Sequence, residues 1–194
     1  MILSERRMPM DNGASSYRRF LDGDESGFVE IIRDYKDGLI FYLHGFVCDL
    51  HIAEELAEDT FVKIVTRKPR FSGKSGFKTW LYAIGRNVAL DYLKKRSRRK
   101  EVPIDEICTM TDDEKSFEED FLREERRITV HRAMCRLKPE YRQVLWLTYF
   151  EDFSNKETAA VMNKKVHSIE ALVSRARKAL REELEKEDFI YEEL

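Results

Sequence analysis

The 194-residue sequence predicts an all-α fold, arranged as two small helical domains joined by an acidic linker. Apolar residues recur every three to four positions in the segments expected to be ordered, and nothing alternates as a strand would. Residues 63–100 hold thirteen Lys or Arg against the single acid Asp91. Residues 101–125 reverse the sign, with eleven acids against two cations and few large apolar side chains. Such a stretch is typical of a solvated linker, so two separate domains are expected.

Composition narrows the function classes. Charged residues make up 37% of the chain, above the roughly 25% of an average globular protein. The net charge is only -2, because the basic residues of 63–100 and the acidic residues of 101–125 offset each other in the total. Separate patches of charge can still attract a polyanion. Cys48, Cys108 and Cys135 form no C-x-x-C pair, and neither a signal peptide nor a membrane-spanning apolar run is evident. A cytoplasmic protein without membrane insertion is expected.

Three amphipathic helices are expected in the first domain, 15–97, which follows an N-terminal tail at 1–14. One proline and two glycines in 69–76 predict a loop between the second and third helices. Acidic residues form the outer face of the second helix. The inward stripes are Phe28, Ile31, Ile32, Tyr35 and Leu39, then Ala53, Leu56, Ala57, Thr60, Phe61, Ile64 and Val65, and finally Phe77, Trp80, Leu81, Ile84, Val88 and Tyr92.

The second domain is expected over 128–187, between a flexible acidic linker at 98–127 and an acidic tail at 188–194. Pro139 suits the first position of a helix, because proline lacks the N–H that would be unpaired there. That helix should turn Tyr141, Val144, Leu145 and Thr148 inward.

A helix-turn-helix is predicted from Phe153 to Leu180. Ser154 followed by Glu157 forms a capping box that begins the first helix. Asn163 tolerates a left-handed turn and should end it, while Ala159 permits close helix packing. A plain helical hairpin with a solvated basic face is the alternative for this segment alone. The second helix should bury Val166, Ile169, Val173, Ala176 and Leu180 and expose Arg175, Arg177 and Lys178.

Two motifs resemble those of the extracytoplasmic-function (ECF) sigma factors. Residues 77–92, FKTWLYAIGRNVALDY, look like the family's F-x-x-W-L-x-x-I-A-R-N-x-x-x-D-x motif in the promoter-melting domain. Residues 53–61, AEELAEDTF, are similar to its A-E-D-L-x-Q-E-T-F segment, which binds the clamp helices of core polymerase, although Glu58 replaces the usual glutamine. The chain from Leu137 to Leu180 resembles the family's second domain.

The resemblance implies a bacterial promoter-recognition subunit without catalytic residues, cofactor or metal. Residues 15–97 would be sigma region 2, and 128–187 would be sigma region 4. The implied partners are core RNA polymerase, promoter DNA in duplex and single-stranded form, and an anti-sigma factor. Such a subunit would recognise the minus-thirty-five and minus-ten elements and promote strand opening.

The resemblance and the physics of DNA binding together give the expected site residues. A melted strand needs cations along its backbone and a pocket for an unstacked base, whereas a recognition helix presents its first residues to base edges. Arg175 and Lys178 are expected to hold phosphate, which fixes register without reading sequence. The core-polymerase set is Glu54, Glu55, Leu56, Glu58 and Asp59; the minus-ten set is Arg70, Phe71, Ser72, Lys74, Lys78, Arg86 and Asn87; the minus-thirty-five set is Lys164, Lys165, His167, Ser168, Ala171, Ser174, Arg175 and Lys178.

The recognition helix departs from the family pattern. The family commonly begins this helix with a T-V-K-S-R-like run, where residues 168–172 read SIEAL. Glu170 would repel phosphate and Leu172 cannot bind it, although Lys164 and Lys165 in the turn can restore charge.

The sequence is less consistent with three other functions. Gly73-Lys74-Ser75 resembles the end of a phosphate-binding loop, but Lys68 occupies the first glycine position and no strand precedes it, which argues against a nucleotide hydrolase. A helix-turn-helix regulator acting without core polymerase is the main alternative. A pure protein-interaction bundle is disfavoured by the basic stretch 63–100.

A metal site is a further alternative. His44, Cys48 and His51 fall at i, i+4 and i+7, which would place three zinc ligands on one face of a continuous helix. No fourth ligand is evident, so metal binding is not expected.

Overall fold

A computed structural model describes residues 12–98, 129–130 and 132–186 of the chain. These residues form an all-α fold. The first domain contains α1 (Asn12–Leu21), α2 (Ser26–Val47), α3 (Leu50–Arg67) and α4 (Phe77–Arg98). The second contains a helical segment at 132–136, α5 (Pro139–Leu145), a π-helical turn (Trp146–Phe150), α6 (Asn155–Met162) and α7 (Val166–Glu185).

The three helices predicted for the first domain are confirmed. Asp49 caps the start of α3, since its side chain accepts a hydrogen bond from the Ile52 N–H, and Lys68 follows the end of the helix in a left-handed conformation. The predicted stripes face the core, with Ile31, Leu39, Ile64, Phe77 and Leu81 fully buried. Val65 is an exception, because it is 37% exposed on the outer side of α3.

Helix α1 was missed by the sequence analysis, which placed a tail over 1–14. The helix begins at Asn12 and buries Tyr17 and Phe20 against the aromatic residues of α4 and α2. The Tyr17 hydroxyl donates a hydrogen bond to the Pro69 carbonyl at 2.7 Å. Helix α1 therefore fixes the start of the loop between α3 and α4.

The helix-turn-helix is confirmed in the second domain. Ser154 caps α6 by accepting from the Glu157 N–H, and the Glu157 carboxylate accepts from the Ser154 N–H. Asn163 ends α6 with φ 53° and ψ 48°, and Ala159, within α6, is buried. Pro139 occupies the first turn of α5 as predicted.

The two domains share one continuous apolar core. Helices α2 and α4 of the first domain pack against α5 and α6 of the second. Phe41 meets Trp146 with ring centroids 5.5 Å apart, and Tyr82 meets Phe153 at 5.3 Å. The interface is therefore part of the folded interior, a relationship that the sequence analysis did not predict.

Two predicted segments have little or no structural description. The acidic linker at 98–127 and the acidic tail at 188–194 lie outside the described residues, apart from Arg98 at the end of α4. Among the helices that are described, none combines the length and the apolar character needed to cross a bilayer.

Candidate nucleic-acid and polymerase interfaces

The acidic face of α3 consists of four exposed carboxylates, Glu54, Glu55, Glu58 and Asp59. They lie opposite the buried stripe, so they are available to a partner without any change in the core. Leu56, which belongs to the predicted core-polymerase set, is only 3% exposed and packs inward. In this structure Leu56 stabilises the helix and presents no surface to a partner.

The loop at 68–76 carries the first predicted minus-ten residues. Arg70, Ser72 and Lys74 are exposed. Phe71 is half-buried, with its ring 5.4 Å from Trp80 and 5.7 Å from Phe77. An exposed cationic and polar rim thus surrounds an aromatic cluster, in which Phe77 is fully buried and Trp80 is partly buried, as their predicted role in the core requires.

Helix α4 places the remaining minus-ten residues in different environments. Asn87 is exposed. Arg86 is half-buried, and its Nε atom is buried without a hydrogen-bond partner among the described residues. Burial raises the pKa of Tyr42, and the nearby Arg86 guanidinium opposes part of that rise. Arg86 therefore lies partly in the interior of the first domain.

Lys78 is bound by the second domain. Its Nζ atom lies 2.7 Å from Glu151 Oε2 and donates a hydrogen bond to the Glu151 carbonyl at 3.0 Å. The same ammonium lies 5.2 Å from the centre of the Phe153 ring. This predicted phosphate ligand is thus already paired with a carboxylate.

Glu151 is held by groups from both domains, and the sequence analysis missed it. Trp146 Nε1 donates to Glu151 Oε1 at 3.2 Å, and Tyr82 is also hydrogen-bonded to the carboxylate. Burial, and then the adjacent Glu151 carboxylate, raise the pKa of Tyr82. No sequence pattern identifies Glu151, because its partners Lys78 and Tyr82 are about seventy residues away.

The recognition helix α7 presents a mixed surface. Lys165, His167, Ala171, Ser174, Arg175 and Lys178 are exposed and Ser168 is half-buried, so most of the predicted minus-thirty-five set is accessible. Lys164 is paired with Glu140 at 3.1 Å, and Lys178 lies 3.8 Å from Glu182.

Two residues of α7 differ from the predicted stripe. Val166 is 42% exposed and does not face the core. Leu172, interpreted as a lost DNA contact, is 4% exposed and takes the inward position instead. Glu170 remains exposed on the outer surface. The departure from the family pattern is therefore an exposed acid at 170 together with a core residue at 172.

The geometry does not support the metal alternative. Helix α2 ends at Val47, Cys48 adopts a left-handed conformation, and His51 belongs to α3. The three side chains therefore do not share the face of one helix. Within the described residues, no group of three His, Cys, Asp or Glu side chains is arranged to hold a metal ion.

Comparison with known proteins identifies the family. Sigma-70 region 2 matches residues 31–99, and sigma-70 region 4 matches residues 127–180. The RNA polymerase sigma-H factor of Pseudomonas aeruginosa is 32% identical over 81% of this chain and 86% of its own length. The chain belongs to the sigma-70 family. Within that family it is an ECF sigma factor, a transcription initiation factor and not an enzyme.

Further relatives agree with this assignment. The ECF sigma factor SigW of Bacillus subtilis is 28% identical over 84% of this sigma factor and 91% of its own length. RpoE of Bartonella quintana, solved with the anti-sigma factor NepR, is 24% identical with a TM-score of 0.65 over 81% of this chain and 96% of its own. CnrH, solved with the cytosolic domain of CnrY, is 22% identical with a TM-score of 0.60. The match covers 90% of this chain and 96% of the CnrH chain. These solved structures confirm the fold.

Proposed function

We propose that this ECF sigma factor binds core RNA polymerase through the acidic face of α3, recognises the minus-thirty-five and minus-ten promoter elements, and promotes strand opening. The observation that supports the proposal is that one chain presents two separate exposed surfaces with cationic and polar side chains, one in each domain. The first is the cationic rim around the loop at 68–76 and the second is the outer face of α7. A promoter has two such elements, so the two surfaces match it.

The first domain has the chemistry needed to hold a melted strand. Arg70 and Lys74 are exposed cations that can follow a phosphate backbone. Ser72 and Asn87 are exposed hydrogen-bonding groups that can read the edge of an unstacked base. Phe71 is packed against Trp80, so its role is to support the loop and not to stack freely on a base.

The second domain has the chemistry needed to hold duplex DNA. His167, Ser168 and Ala171 lie in the first two turns of α7, the part of a recognition helix that meets base edges. Arg175 and Lys178 lie further along the helix and suit phosphate contacts. Glu170 lies among these residues and weakens the attraction for the backbone.

The partners follow from the same proposal. The acidic face of α3 would bind core polymerase, and we propose that the protein acts in the bacterial cytoplasm. RpoE of Bartonella quintana was solved with the anti-sigma factor NepR. We extend that partner class to this chain as a regulator. A helix-turn-helix regulator acting alone is not favoured, since residues 31–99 match sigma region 2.

Core-dependent transcription tests the proposed function. The purified protein is mixed with core RNA polymerase, first in a pull-down and then in run-off transcription on fragmented genomic DNA from the source organism. Discrete transcripts are expected only when both components are present. If the protein binds a specific duplex unaided and core polymerase adds no transcript, the regulator is correct and the sigma function is wrong.

A further inference from the structure

Glu151 lies in a niche formed by the first domain. Its side chain is 10% exposed, and its carboxylate contacts Lys78 on α4 and packs over Gly38 on α2. A Cβ atom added to Gly38 would lie 2.5 Å from Glu151 Oε1 and 2.6 Å from the Tyr82 hydroxyl oxygen. The niche therefore exists because α2 has no side chain at this position.

The backbone of the second domain positions the Glu151 side chain in the niche. The π-helical turn Trp146–Phe150 ends at Glu151, whose N–H donates to the Trp146 carbonyl at 3.2 Å. The following Asp152 has φ 55°, which turns the chain so that Phe153 returns to the core at 5% exposure. Glu151 is thus fixed between two buried aromatic residues of its own domain and is not a mobile surface side chain.

We call the arrangement in which the two domains pack against each other the closed arrangement. It is incompatible with binding to both promoter elements at the same time. The minus-ten and minus-thirty-five elements are about 25 base pairs apart, which is on the order of 85 Å along the duplex. A compact chain of this length has a radius of gyration of only about 16 Å. Domains that share a core cannot reach both elements, so they must separate before a promoter is read.

We propose that the closed arrangement is an autoinhibited state, in which the Glu151 carboxylate pairs with the Lys78 ammonium and takes the place of a DNA phosphate. A carboxylate supplies the same negative oxygen that a phosphate would supply, so the cation cannot serve both at once. The inference rests on the proposed function, because Lys78 was assigned to the melted strand. Separation of the domains would free Lys78, and the apparent affinity for DNA is reduced by the fraction of molecules that are closed.

Two matched pairs of variants test the contact on the full chain. Glu151→Gln removes the carboxylate charge, and Asp152→Asn removes the same charge from the next, exposed residue. Gly38→Ala fills the niche from the other domain. Gly45→Ala is its control on the same helix, since a Cβ there would meet only Arg142 Cβ at 3.7 Å.

Small-angle X-ray scattering of the free protein reports domain separation. The wild type, Asp152→Asn and Gly45→Ala are expected to share one radius of gyration. Glu151→Gln and Gly38→Ala should increase it by about 5 Å, because about thirty residues of random coil would let the two domains lie roughly 30 Å apart. An unchanged radius in both test variants would overturn the proposal, as would a wild type that is already extended.

The affinity for a short fluorescein-labelled single-stranded DNA of mixed sequence shows whether the Glu151–Lys78 contact inhibits DNA binding or only stabilises the packing of the domains. Glu151→Gln should bind about three to ten times more tightly than Asp152→Asn, and its log-log salt slope should be steeper by about 0.7 for one additional phosphate contact. Equal affinities and slopes would show that the closed contact does not block Lys78. Neither readout uses polymerase, so failure of the sigma function would appear separately, as absent run-off transcripts.

Discussion

Arg142 of α5 donates a hydrogen bond from Nε to the Gly45 carbonyl of α2 at 2.8 Å, which joins the two domains through a buried guanidinium. Its Nη1 atom also donates to the Cys135 and Leu137 carbonyls at 2.6 and 2.9 Å. The residue is 7% exposed. One side chain thus fixes the entry to α5 and the contact between the domains.

Replacement of Arg142 should destabilise the protein. Arg142→Ala removes three charge-assisted hydrogen bonds and leaves buried carbonyls unpaired, at a cost of about 2–4 kcal/mol. Arg142→Lys should cost less, because an ammonium keeps the charge but lacks the planar fork. Urea unfolding followed by circular dichroism measures the loss. Exposed Arg177→Ala is the control and should change the free energy of unfolding by less than about 0.5 kcal/mol.

The capping box of α6 should contribute measurably to stability. Ser154→Ala removes the hydroxyl that accepts from the Glu157 N–H and should cost about 1 kcal/mol. Ser174→Ala, at an exposed position inside α7, is the matched control and should be near neutral. Thermal unfolding compares the two. If both variants melt with the wild type, the cap does not stabilise the helix-turn-helix.

Local patterns could predict the helices but not the contacts between domains. Period and capping signals placed α2, α3, α4, α6 and α7 because the residues involved lie within a few positions of one another. The Lys78–Glu151 and Arg142–Gly45 contacts join residues 73 and 97 positions apart, which no local period can report. Helix α1 was missed because only Tyr17 and Phe20 give it a large apolar face in an otherwise polar segment.

The acidic face of α3 should be needed for binding to core polymerase. Glu55→Lys with Asp59→Lys reverses two exposed charges outside the buried stripe, so the fold should survive while core affinity falls. Glu182→Lys with Glu185→Lys makes the same charge change on exposed positions of α7. Pull-down with core polymerase, alongside circular dichroism, decides the matter. Retained affinity in a folded α3 variant would remove this helix from the interface.

Glu170 should weaken binding to the upstream element. Glu170→Lys removes one repulsion and adds one attraction, so affinity should rise and the log-log salt slope should steepen by about 0.9 for each added phosphate contact. Fluorescence anisotropy on upstream-element duplex over a salt series measures both. Unchanged affinity and slope would mean that this part of α7 does not lie against the duplex.

Ser168 should behave differently from Glu170. If its hydroxyl reads a base edge, Ser168→Ala should cost on the order of 1–3 kcal/mol on the preferred duplex and little on a mismatched one, with the salt slope nearly unchanged. Thr66→Ala, which removes an exposed hydroxyl from α3 of the first domain, serves as the comparison. Equal losses on matched and mismatched duplexes would exclude a reading role for Ser168.

Permanganate footprinting of thymines in promoter DNA measures strand opening by the first domain directly. With core polymerase and the wild-type protein, thymines downstream of the minus-ten element should become reactive, and neither component alone should expose them. Asn87→Ala, or alanine at Ser72 to Ser75, should lower that reactivity well beyond any loss of core binding measured by pull-down on the same samples. Thymines that stay equally reactive in these variants, or that never become reactive with the wild-type protein and core polymerase together, would contradict strand opening through this surface.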